Sequence, residues 1–321
     1  MVNQQPSDTP SGQPAFFITW LSNASTPSIR YLTLRHLLDR PETDTEVRTA
    51  RQEMQTTGPI PTILAGQTEA GHWDGERSYY TPKYTSTHWS MLLLAELAAD
   101  GADPRLEQGA EYMLTATQDE LGWTAAPEGH GLSCFWGNLL RYALHCGHAD
   151  DPRVSAIVRY LAHDAQEGDW RCAYNDELPC AWGAARALWG LAALLAEHRS
   201  PETEATVENG LAFLLETHSL IKADYPTSGQ VHSLWFRLNF PLFYQTDILF
   251  VLRVLAELGK LDHSGTGPAL KWLASRRKAN GRWRGASPFR RRTWAALADR
   301  EETDRWASLH AAIALRSHTP E

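Results

Sequence analysis

A unit of about 46 residues recurs along this chain, and it constrains the fold more than any other feature of the sequence. Aligning the apolar stretches 92–101, 139–147 and 185–193 brings His88, Cys134 and Cys180 to equivalent positions, each 46 residues after the last. Before each stretch comes a polar segment ending in Trp: Gln67 to Trp73, Gln118 to Trp123 and Gln166 to Trp170, with a later relative at Lys278 to Trp283. A repeat of this length carrying two apolar-periodic segments is one helix pair, and stacked pairs bury a continuous core that no single pair could bury alone.

The segments are helical throughout. Strand-like alternation is absent, and Ala, Leu, Glu and Arg fill the periodic stretches. One class carries a charged face, over 104–117, 152–165, 203–218 and 267–278. The other is more apolar, over 85–99, 132–145, 178–197, 244–259 and 304–316, with 27–40 as a sixth member. Pro104, Pro152 and Pro201 suit helix starts, where a missing N–H costs nothing, and Gly101, Gly147 and Gly259 suit C-caps. The expected fold is therefore all-α, a closed ring of about six helix pairs. Residues 25–316 form its single domain, residues 1–24 a disordered leader and 317–321 a tail.

Charge and apolar content exclude several functions. A net charge of −8 argues against general nucleic-acid binding. No apolar run reaches the ~18 residues of a membrane span, and the N-terminus lacks the apolar region of a signal peptide. Four cysteines in 321 residues do not make a disulfide framework. A cytoplasmic protein with reduced thiols is expected. Residues 276–292 hold eight basic side chains and no acid; as a solvated loop or an anion-seeking patch, they leave peripheral membrane contact open.

The Gln-x-x-x-Gly-x-Trp segment 67–73 and the shorter Gln-to-Trp segments with a glycine, 118–123 and 166–170, resemble the QW repeats of the terpene cyclase and protein prenyltransferase superfamily. The resemblance spans roughly 25–316. It implies an α/α toroid whose inner helices point their N-terminal ends at a central cavity, with an isoprenoid as the substrate class. It also implies that His88, Cys134, Cys180 and Asp247 lie around that cavity. The chain departs from the family at its acid motifs. The stretch Tyr244-Gln245-Thr246-Asp247 keeps one aspartate of Asp-x-Asp-Asp, and Asp150-Asp151 lacks the third acid of Asp-Asp-x-x-Asp. The repeated Cys-x-Trp-Gly at 134–137 and 180–183 resembles, more locally, the Cys-x-Gly elements that supply zinc thiolates in lanthionine cyclases, without their adjacent His.

Three N/S ligands with one open position make a catalytic zinc site, and a helix N-terminus favours thiolate over thiol. His88, Cys134 and Cys180 are the candidate metal ligands and zinc the candidate cofactor, with Cys172 as a possible fourth ligand. Each could equally be a core residue. Asp247, the sole acid of an apolar stretch, is the candidate catalytic acid, or else a helix-capping carboxylate. Trp89, Phe135, Trp136, Trp182, Tyr244 and His232 are candidates for an aromatic substrate pocket, and His130 for the cavity mouth. The leading expectation is a zinc-dependent enzyme acting on an isoprenoid or thiol-bearing substrate in an apolar cavity; two further functions stay open, a non-catalytic lipid- or partner-binding toroid and a metal-free cyclase centred on Asp247.

Overall fold

The structure is a computed structural model that describes residues 13–74, 78–124, 132–166, 169–227, 232–297 and 299–317. It is all-α apart from one two-stranded antiparallel hairpin among the described residues, Arg171–Cys172 (β1) with Leu178–Pro179 (β2).

The apolar members of the pairs are α2 (Pro27–His36), α5 (Thr87–Glu96), α7 (Ser133–His145), α9 (Ala181–Ala192), α11 (Ile248–Glu257) and α13 (Arg300–Arg316). The amphipathic partners include α6 (Pro104–Thr124), α8 (Pro152–Gln166), α10 (Pro201–Leu211) and α12 (Gly267–Ser275), with α3 (Thr45–Thr56) and α4 (Pro59–Leu64) between α2 and α5. The apolar helices contact one another in chain order: α5 meets α7, α7 meets α9, α9 meets α11, α11 meets α13, and α13 meets α2. In α5, α7, α9 and α11 burial extends almost all round the helix, because each is packed on several sides.

Closest of these contacts is α7 against α9. A methyl added at Gly137 would overlap the Arg186 carbonyl, and one at Gly190 would meet the Gly137 backbone. Glycine lets the two backbones approach directly. Gly183, the repeat equivalent of Gly137, has only ordinary contacts around its would-be Cβ, so the shared motif serves packing at one position and not at the other.

The Trp-terminated turns are structural staples. Trp73 donates its indole N–H to the Ile63 carbonyl at 2.6 Å, and its backbone N–H to Thr87 Oγ1 at 3.0 Å. Trp283 repeats both bonds, to the Leu273 carbonyl at 2.8 Å and Ser308 Oγ at 2.9 Å. Trp73 thereby ties α4 to the first turn of α5, and Trp283 ties α12 to the body of α13. Gly71 and Gly281 sit at φ 87° and 74°, a left-handed conformation that favours glycine in both turns. Trp170 instead donates to Asn209 Oδ1 at 2.7 Å.

Several expectations are corrected. Within the expected leader, Ala15–Ser22 is a helix (α1), because Phe17, Ile18, Trp20 and Leu21 bury themselves against the fold; residues 1–12 and the end of the expected tail, 318–321, lie outside the described residues. The segment 118–123 is helical as the end of α6, not a turn. The stretch 203–218 is α-helical only to Leu211 and continues as a π-helix over Ala212–Thr217. Gly147 and Gly259 do take positive φ after their helices, but after α5 that role falls to Ala98, at φ 58°. Gly101 is instead a packing residue, since a methyl there would overlap the His145 carbonyl. No described helix is long and apolar enough to cross a membrane.

Candidate functional site

A cavity of about 760 Å³ lies at the N-terminal ends of α5, α7, α9 and α11. Four segments build it. The stretch before α5 brings Tyr79, Tyr80 and Lys83, and the first turn of α7 brings Cys134 and Phe135. The β1–β2 hairpin and the start of α9 add Cys172, Tyr174, Cys180 and Trp182. The loops 223–227 and 232–245 close the wall with Tyr225, His232, Trp235 and Tyr244. The repeat contributes to the placement: residues just before or inside the first turns of α5, α7 and α9 face this common space.

The wall is largely aromatic. Trp182 packs edge-on against His232 with ring centroids 5.1 Å apart, and against Tyr244 at 6.0 Å. Lys83 Nζ stands 4.9 Å from the Tyr80 ring and 4.7 Å from the Tyr244 ring, within cation–π range. Burial, reinforced by Arg292, lowers the Lys83 pKa from its ordinary value.

Three of the four cysteines line this space, and all four are unpaired. Their environments differ sharply. Burial pushes the Cys134 thiol up to about 12. Cys172 is drawn down to about 7, chiefly by a hydrogen bond from the Cys180 thiol, with backbone N–H bonds from Tyr174 and Asn175 adding to it. Cys180 is raised well above its ordinary value by that same hydrogen bond and by burial. As N-cap of α9, its sulfur accepts the Gly183 N–H at 3.4 Å. The fourth, Cys146, caps the end of α7 away from the cavity.

The expected site residues divide. Phe135, Trp182, Tyr244, His232, Cys134 and Cys180 line the cavity. Trp89 and Trp136 do not; both are buried in the core behind it. His88 is also fully buried, its ring stacked 4.5 Å from Phe135 and its Nδ1 3.2 Å from the Tyr142 hydroxyl. Burial, and then Arg186, push its pKa down to about 3, so it is neutral. His130 lies outside the described residues.

Asp247 is a capping carboxylate. Its Oδ1 accepts the Phe250 N–H at 2.8 Å, and its Oδ2 accepts the Asn239 N–H at 2.8 Å and the Asn239 side-chain amide at 2.7 Å. Burial raises its pKa to about 6 against the opposing pull of these three donors. It holds the 239–247 loop to α11 and is not part of the cavity wall. Behind the same loop lies Arg186, which sequence reasoning missed. It is completely buried, donates to the Gln245 carbonyl at 2.6 Å and lies 3.9 Å from the Phe250 ring. Lys83 was missed as well; its signal was an aromatic-dense stretch directly before an inner helix.

The ligand set expected for zinc fails a geometric test. The described His, Cys, Asp and Glu residues whose ligand atoms all lie within 4.8 Å of one another are Glu111, His148 and Asp151. His88, Cys134 and Cys180 do not form such a group, and the Phe135 ring covers the His88 imidazole. Zinc bonds of 2.0–2.3 Å require a tighter set, and no chemical step is derived through a metal. The Glu111 cluster has suitable spacing, but one Arg153 nitrogen lies 2.6 Å from both its carboxylates, so a guanidinium holds the place a cation would take.

The basic segment 276–292 is partly absorbed by aromatic stacking. Arg282 lies 4.1 Å from the Trp20 ring and Arg292 5.1 Å from the Tyr84 ring.

No protein-family model, curated protein or solved structure matches this chain.

Proposed function

We propose that this chain is an α/α toroid of the terpene cyclase and prenyltransferase type that takes an apolar, isoprenoid-like chain into its aromatic cavity. It is a cytoplasmic enzyme that uses the cavity's thiols rather than an acid motif. The observation that carries this is the cavity: about 760 Å³, walled by Tyr, Phe and Trp rings and opening onto three cysteine sulfurs. That volume lies within the roughly 300–1,000 Å³ of small-molecule sites. Aromatic faces suit an apolar, unsaturated chain, and Lys83 with His232 supplies the polar features that could orient its head.

The order of helix contacts, running from α5 round to α13 and back to α2, supports the ring. Asp247-centred cyclisation is disfavoured because that carboxylate is occupied as a cap. The non-catalytic binding toroid uses the same cavity, and differs only in whether the bound chain is changed.

Saturable binding of a fluorescent farnesyl analogue to the full chain tests the proposal, with Trp182→Ala weakening it by about 5- to 70-fold for the loss of roughly 1–2.5 kcal/mol of aromatic contact. Absence of saturable binding, or equal affinity in the Trp182 variant, would overturn it. Product analysis of the bound analogue then separates enzyme from carrier.

A further inference from the structure

We propose that the cavity takes an apolar chain ending in a single carboxylate, and that Lys83 binds this head. The inference deepens the reading of the cavity as the site of an isoprenoid-like chain and rests on it. Lys83 is the one Lys or Arg side chain in the described wall, and no Asp or Glu stands among those wall residues. Among the described residues its ammonium makes no ion pair and no hydrogen bond. The charge rests instead on two ring faces, Tyr80 at 4.9 Å and Tyr244 at 4.7 Å. Ring faces hold a cation in place but leave its three N–H donors for an acceptor inside the cavity. The backbone on both sides of Lys83 is tied to the core. Tyr84 is buried, donates its N–H to the Arg292 carbonyl at 3.1 Å and stacks on Phe243 at 4.1 Å. The Tyr80 carbonyl accepts the Trp89 indole N–H at 2.8 Å. An arriving anion therefore meets a cation already in position, and less ordering entropy is lost.

Charge balance sets the head. A phosphate monoester carries about −1.5 to −2 charge at pH 7, and a diphosphate carries more. One ammonium would leave most of that charge unpaired against aromatic walls, at a desolvation cost. His232, the other basic side chain of the wall, packs on Trp182, and its Nδ1 is taken by the Leu234 N–H at 3.2 Å. A carboxylate brings one negative charge at neutral pH and accepts a charge-assisted hydrogen bond. An alcohol or hydrocarbon end would leave the ammonium as it stands. Burial and the nearby charge of Arg292 both disfavour the bare ammonium, and a carboxylate beside it offsets both. Beyond the head, Phe135, Trp182 and Tyr225 offer rings to the chain.

Calorimetric titration of the full chain at about pH 7.5 with farnesoic acid, farnesol and farnesyl diphosphate presents one chain with three heads. Farnesoic acid should bind about 5- to 30-fold tighter than farnesol, the range for one charge-assisted hydrogen bond at a partly solvated site, and tighter than the diphosphate. In Lys83→Met the preference for acid over alcohol should fall below about 2-fold, while farnesol affinity changes by less than about 3-fold. The preference is a ratio read within one protein, so a partly unfolded sample does not imitate its loss, and the wild-type ratio needs no variant. Acetate, a carboxylate with almost no chain, should bind at least about 100-fold more weakly than farnesoic acid. Equal affinity for acid and alcohol, tighter binding of the diphosphate, or a preference that survives Lys83→Met would overturn the carboxylate head and leave the apolar-chain reading standing. Acetate binding as tightly as farnesoic acid would overturn the apolar-chain reading instead, and no binding of any of the four would overturn both.

Discussion

Replacing Asp247 with Ala tests whether this carboxylate is architecture or chemistry. The substitution removes the cap of α11 and strands the Asn239 backbone N–H in the interior, while the Asn239 side-chain amide keeps the Leu234 and Arg237 carbonyls. A lost N-cap costs about 0.5–2 kcal/mol, and an unsatisfied buried N–H about 1–3 kcal/mol, so a loss of about 2–4 kcal/mol follows. At about 2.1 cal/mol/K per residue, 321 residues give an unfolding entropy near 0.7 kcal/mol/K, and a 3 kcal/mol loss lowers Tm by about 4–5 °C. The pH dependence adds a second constraint. A carboxyl raised to about 6 in the folded state contributes most below its unfolded value of 3.8, and progressively less as pH rises through 6. The stability gap between wild type and variant should therefore widen on acidification from pH 8 to pH 4, by up to about 3 kcal/mol, because the folded state holds a proton across that interval that the unfolded chain has lost. Urea unfolding followed by circular dichroism measures it at each pH. An unchanged midpoint would refute the capping argument, and a gap that narrows in acid would show that the three donors outweigh burial; intact stability with lost turnover would return Asp247 to catalysis.

Four other substitutions probe the packing and the cavity. Gly137→Ala should cost more than about 3 kcal/mol in urea unfolding, because the methyl collides with α9 backbone, whereas Gly183→Ala in the same motif should be neutral or stabilising by about 0.5–1 kcal/mol. Equal effects at the two sites would sink the close-approach argument. His88, held near pKa 3, contributes stability above pH 6.5 that is lost as pH falls toward 3 and the unfolded state takes up the proton. His88→Phe should consequently reduce the loss of stability between pH 7 and pH 4 by about 3 kcal/mol in the same assay. Tyr244→Ala, which removes one face of the Lys83 contact and part of the Trp182 wall, should weaken the farnesyl analogue about 5- to 20-fold while shifting Tm by less than about 3 °C; unaltered affinity would place the ligand elsewhere.

The 46-residue period and the 3.6-residue pattern were sufficient to specify helix pairs, their order and the position of each inner-helix start. Those properties depend on local sequence, and the Trp73 and Trp283 staples repeat because the same short motif makes the same bonds. Cys134, Phe135, Cys180 and Trp182 lie on the cavity wall for that reason, since a position at or in a first turn is legible in sequence; His232 and Tyr244 reach it from a loop. What a first-turn side chain faces is not. His88 and Cys134 hold equivalent positions, yet one is sealed behind Phe135 and the other looks into the cavity. Asp247 could have been acid or cap until Asn239, eight residues away, supplied two of its three donors. Cys172 stands outside the 46-residue series, and what brings it to the cavity wall is a hairpin too short to leave a periodic trace. Periodicity determines which residues begin a helix, since backbone hydrogen bonding is local. Which of those residues meet was decided only by tertiary packing, because contacts and desolvation depend on neighbours remote in the chain.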